Sequence, residues 1–102
     1  MVLIQLLLPL YDNDGNVFPR EQFDDVRRGV ADKFGGVTAY ARSPAKGLWK
    51  DEDGTVMRDD VVMYEVMAAE IDRFWWRAYQ AELMKAFAQE ELLIRALECE
   101  RL

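Results

Sequence analysis

Histidine is absent from the chain. Its absence removes Ser-His-Asp and Cys-His nucleophile systems, imidazole metal ligands and imidazole proton shuttles together. Cysteine occurs once, as Cys99, so no intrachain disulfide can form, and a lone thiol suits a reducing compartment, read here as the cytoplasm. The strongly apolar opening, Met1 to Leu10, is only half the ~20 residues of a membrane span and has neither a basic leader nor a small-residue cleavage site. It is read as a strand. Basic residues are outnumbered, 13 against 19 acidic, for a formal charge of −6. They are also scattered, which argues against a nucleic-acid footprint and leaves no membrane or nucleic-acid partner to expect. Two acidic turns, Asp12 to Gly15 and Asp51 to Gly54, fail as calcium loops because the required register puts Leu10 and Trp49 at the first ligand position. No metal or cofactor is expected.

What remains is sufficient for a folded domain. With 102 residues, 51% of them hydrophobic and 12% aromatic, the chain suits one hydrophobic core and is too short for two, so residues 1–102 form a single domain. Val2 to Leu10 reads as a buried strand. Pro19 then opens a helix in which Phe23, Val26, Val30 and Phe34 recur at helical spacing, until Gly35 and Gly36 stop it. On its other face Asp24, Arg28 and Asp32 stand four residues apart and read as a solvated surface. Val37 to Arg42 alternates as a strand, is interrupted around Pro44 and Gly47, and resumes at Leu48 to Lys50. Asp51 to Gly54 makes a hairpin loop, Thr55 to Met57 begins the return, and Val61 to Ala68 forms the third strand. Asp72 caps a second helix, to Ala88, with Trp76, Tyr79, Leu83 and Phe87 in one stripe. Glu91 to Cys99 reads as the last strand.

The resulting order, β-α-β-β-α-β, predicts an α+β, ferredoxin-like sandwich. Right-handed crossovers put both helices on one face of a four-stranded antiparallel sheet in the order four-one-three-two. The run Phe34 to Tyr40, then Gly47 to Trp49, Asp53-Gly54 and the strand Val61 to Val66 resembles a group of small bacterial proteins of uncharacterised activity with this fold. More widely, the architecture is similar to the dimeric α/β-barrel superfamily, in which two such sheets pack face to face. That superfamily includes small monooxygenases, isomerases, mutarotases, stress-response proteins and ligand-sensing domains. The resemblance implies a homodimer and a pocket between sheets without specifying a reaction. The histidines used by several of its enzymes have no counterpart here.

Alternation assigns the chemistry. Val2, Ile4, Leu6 and Leu8 form an apolar row under the helices, joined by Val62, Val66, Ile94 and Ala96. The open face then receives Leu3, Gln5 and Leu7 from strand one, Met63, Glu65 and Met67 from strand three, Leu93, Arg95 and Leu97 from strand four, and Thr38, Tyr40 and Arg42 from strand two. Strand adjacency aligns Arg42, Glu65, Gln5 and Arg95, with Tyr40 beside them. This set, Gln5, Tyr40, Arg42, Glu65 and Arg95, can hold an anionic or carbonyl-bearing ligand through arginine; equally, Arg42 and Arg95 can simply neutralise Glu65 at a covered interface. Leu3, Leu7, Met63 and Met67, with Phe74 and Trp75 off the core stripe of helix two, are the candidate interface residues. Trp76 belongs to the core, and Cys99, with no basic cluster beside it, reads as a structural thiol. Two functions follow: a homodimeric binding or assembly module, or a small cofactor-independent enzyme, monooxygenase- or isomerase-like, working in a pocket on the open face.

Overall fold

The computed structural model describes residues 1–34, 40–50 and 56–102, with side chains for 1–34 and 61–102. The elements run β1 (Val2–Pro9), α1 (Arg20–Phe34), β2 (Tyr40–Lys50), β3 (Val56–Ala68), α2 (Arg73–Ala86) and β4 (Ile94–Glu98). This is an α+β arrangement of two helices and an antiparallel sheet. β1 lies between β3 and β4, and the backbone of β2 pairs along the far side of β3, giving the order β2-β3-β1-β4. The glycine stop at 35–36, Thr38, the hairpin loop at 51–54 and the side chain of Trp49 lie outside the described residues.

Strand one shows why the sheet has a dry side. Ile4, Leu6 and Leu8 are 1% exposed or less, whereas their neighbours Leu3, Gln5 and Leu7 are only partly buried. In β3 the matching buried row is Tyr64, Val66 and Ala68. Helix α1 lays Phe23, Val26 and Val30 on this surface and α2 adds Trp76 and Leu83, with Phe87 sealing the end. Phe87 is fully buried, edge-on to Phe18 at 4.9 Å and tilted against Phe23 at 5.5 Å. The Tyr64 hydroxyl donates to the Phe23 carbonyl at 3.1 Å, so a phenol enters the core with its polar end satisfied. Burial raises the pKa of this phenol, with Arg27 opposing and Asp24 adding to the effect.

The helices begin and end for local reasons. Asp72 caps α2 as expected, its carboxylate accepting the Trp75 backbone N–H at 3.0 Å. The helix ends at Ala86, two residues before the expected Ala88, because Ala88 adopts a left-handed φ of 50°. There the Gln89 N–H turns back to the Met84 carbonyl at 2.9 Å and closes the end. On α1 the exposed charges pair three residues apart, Arg27 with Asp24 and Arg28 with Asp25 at 2.6 Å, rather than along the expected four-residue row. The Asp12 to Gly15 segment is a turn: the Asp12 carboxylate accepts the N–H groups of Asp14 and Asn16, and Gly15 supplies the positive φ of 83°.

Two expectations about the edge strands need correction. β4 covers Ile94–Glu98 rather than Glu91 to Cys99; Leu92 leaves the ladder to enter the core, at 6% exposed. Ala96, expected under the helices, is exposed, because α2 does not extend over that edge. On the other side the β2–β3 register shifts between Arg42 and Ala45, near the irregularity expected at Pro44.

Candidate binding site on the open sheet face

Gln5 occupies the middle of the middle strand. Its register partners are Glu65 on β3 and Arg95 on β4, so an amide separates an acid from a guanidinium by one strand spacing on each side, about 5 Å. The side chains use that spacing. The Gln5 Nε2 donates to Glu65 Oε1 at 3.2 Å, and the Gln5 Oε1 accepts from Arg95 Nε at 2.6 Å. The chain of bonds fixes the amide orientation, since only this way round does each end meet the complementary charge. Glu65 is 4% exposed, a carboxylate removed from water within a strand that is otherwise apolar from Val61 to Ala68. Arg95, at the sheet edge, is exposed.

The expected alignment is thus correct for three strands and wrong for the fourth. The backbone of Tyr40, not that of Arg42, pairs with Glu65, and Arg42 pairs with Met63, one side-chain step farther along. The register changes by one residue between Arg42 and Ala45, so partners on the two sides of that point do not follow one count. The expected contact between Glu65 and Arg95 is likewise indirect, with Gln5 between them. The side chains of Tyr40 and Arg42 lie outside the described residues.

Apolar rows bound this polar one. Leu3 is in register with Met67 and Leu97 on one side, and Leu7 with Met63 on the other. Met67, Leu97 and Leu93 are 40%, 45% and 52% exposed. Neither helix covers these rows. Of the helix residues expected at an interface, Phe74 is 87% exposed, whereas Trp75 is committed within the chain, stacked on Tyr79 at 4.8 Å and edge-on to Phe34 and Trp76, with the Lys33 ammonium 5.4 Å from its ring.

On the helix side two features escaped the sequence reading. Tyr79 bridges the helices, its hydroxyl donating to the Val26 carbonyl at 3.4 Å beside Gly29, where a Cβ would stand 3.2 Å from the phenolic oxygen. Burial, reinforced by Glu82, Tyr64 and Asp25, pushes this phenol up to about 12. A cleft of about 250 Å³ opens between α2 and β4, floored by Ile4, Ile94 and Ala96 and bordered by Arg73, Trp76 and Arg77. Its signal in the sequence is a basic pair four residues apart on the stripe of α2 next to the core stripe.

No family model matches the chain, and no curated protein matches it in sequence. Among solved structures, a phage SAM lyase in complex with S-methyl-5'-thioadenosine is similar in fold, with a TM-score of 0.60 over 95% of this chain and 80% of that one. The two are 13% identical. The likeness therefore concerns the path of the chain and not the residues of a site.

Proposed function

We propose that the chain is a homodimeric small-molecule-binding module of ferredoxin-like, dimeric α/β-barrel type, acting in the bacterial cytoplasm. The observation that carries this reading is the pattern of the open face: the Gln5–Glu65–Arg95 row lies between two apolar rows that no helix covers. Packing two such faces together removes Leu3, Leu7, Met67 and Leu97 from water, a gain of about 25 cal/mol for each Å² of apolar surface. The same packing encloses Arg95 and the accessible part of Gln5 beside a Glu65 that is already withdrawn from water, and an enclosed row of acid, amide and guanidinium orients a polar ligand. Since the phage lyase of similar fold holds a nucleoside thioether, S-methyl-5'-thioadenosine is the first ligand to try.

The test is sedimentation and calorimetry on the same samples. The protein should sediment as a dimer at micromolar concentration, and Leu7→Asp should give a folded monomer that has lost ligand binding. A wild-type monomer, or a dimer that survives Leu7→Asp, removes the proposed interface. Consumption of S-adenosylmethionine by the wild type would instead move the site into the enzyme class.

A further inference from the structure

We infer that the cleft between α2 and β4, on the helix side of the sheet and separate from the open face, binds a small organic anion with an apolar body. A helix lying on a sheet normally turns an apolar stripe toward it. α2 does so with Trp76, Leu83 and Phe87, but the adjacent stripe, toward β4, reads Arg73, Arg77 and Gln80. Beneath that stripe the inward row of β4 is left uncovered: Ile94 is half-buried and Ala96 exposed. The result is a cleft of about 250 Å³ with an apolar floor, a wall carrying Arg73 and Arg77, and no acidic side chain in its lining; Arg95 borders it from β4, but its guanidinium is turned to the open face, where it donates to Gln5.

Two further observations bear on what the cleft would take. Arg27 and Arg28 on α1 each hold a carboxylate, yet Arg73 and Arg77 form no ion pair or hydrogen bond among the described residues. Glu98, which alternation puts on the same face of β4, comes within ion-pairing distance of neither. In a chain of net charge −6, two unmatched guanidiniums beside an apolar floor are a local excess of positive charge. The second observation is Trp76, 7% exposed, which lines the cleft and whose indole N–H has no hydrogen-bond partner among the described residues. That nitrogen has no accessible surface of its own, so an acceptor in the cleft would reach it only once the Trp76 side chain shifts, and what the tryptophan offers without moving is an aromatic border for an apolar body. Carboxylate, sulfonate and phosphate oxygens match the two arginines of the lining, since guanidinium binds them bidentately.

The experiment is an NMR titration of the ¹³C,¹⁵N-labelled full chain with naphthalene-2-sulfonate, and with naphthalene-2-sulfonamide as the uncharged counterpart. The chain has 3 tryptophans, so the indole N–H signals are few, and loss of one in Trp75→Phe or Trp76→Phe identifies Trp76. The sulfonate should shift the Trp76 indole signal saturably while the methyl signals of Leu3 and Leu7 stay fixed. The sulfonamide, and the Arg73→Gln/Arg77→Gln variant titrated with the sulfonate, should each bind at least about tenfold more weakly. Both arginines are exposed, so that variant keeps its fold. Equal affinity for the two compounds, unchanged binding by the double variant, or shifts confined to Leu3 and Leu7 would each overturn the assignment. None of these outcomes bears on whether the open face dimerises.

Discussion

The two faces of the sheet are made from alternate residues of the same strands, yet they solve opposite problems. On the helix side, Ile4, Leu6 and Leu8 meet α1 and α2 and are almost completely withdrawn from water. On the open side, Leu3, Gln5 and Leu7 stand one residue away, in a surface where apolar rows flank a line of hydrogen-bonded polar groups. A single strand thus carries core residues on one parity and a member of the polar row on the other. The separation can be tested residue by residue.

The largest effect should come from the covered parity. Leu6→Ala empties a fully enclosed position and should cost 2–5 kcal/mol, or roughly that range, in denaturant unfolding. Leu7→Ala, measured at a dilution where any oligomer has dissociated, should cost about 1 kcal/mol, because the side chain is only partly buried. Equal losses for these neighbours would break the comparison.

The polar row should show its strength only in combination. Glu65 and Gln5 share a hydrogen bond between a carboxyl oxygen and an amide, and bonds of this kind contribute about 0.5–3 kcal/mol. A double-mutant cycle with Gln5→Leu and Glu65→Leu should return a coupling of about that size, since each single change removes the bond that the two groups share. A coupling near zero would mean that the row is held by its surroundings and not by its own bonds.

Much of this was legible in the sequence, and the part that was not has a common cause. Alternation in Val2–Pro9 set the parity of β1, and β3 and β4 followed because their apolar residues must share the same buried side. Gln5, Glu65 and Arg95 were found that way. Arg42 was misplaced because Ser43, Pro44 and Gly47 interrupt the pattern, and alternation cannot count residues across an irregularity. The arginine cleft was missed for a different reason. Charges on a helix read as solvated surface unless one knows how far the helix extends over the sheet, and the exposure of Ala96 appears only in three dimensions.

The helix layer also gives the covered face a pH dependence. Tyr79 is pushed up to about 12, chiefly by burial. Its folded-state pKa lies above the ordinary tyrosine value of about 10, so the unfolded chain releases its proton first. Stability from this group is complete below pH 10, or roughly so, and falls as the pH rises toward 12. Tyr79→Phe should flatten that fall in alkaline unfolding curves. An unchanged slope would mean that the inter-helix contact is open to water.

The smallest effect concerns the end of the cover. Ala88 terminates α2 with a φ of 50° and its side chain exposed. A left-handed conformation costs an ordinary residue about 1–2 kcal/mol, and glycine avoids the cost. Against this, glycine gives the unfolded chain more freedom, a loss of about 0.4–1 kcal/mol. The first term is the larger and no packing is lost, so Ala88→Gly should raise stability by about 0.5–1 kcal/mol. Because Phe87 and Leu92 on either side are buried, the gain should appear in slower unfolding of the whole domain rather than in local fraying. A destabilised variant would show that Ala88 is not left-handed in solution, and that α2 continues toward the Ala88 boundary suggested by its sequence.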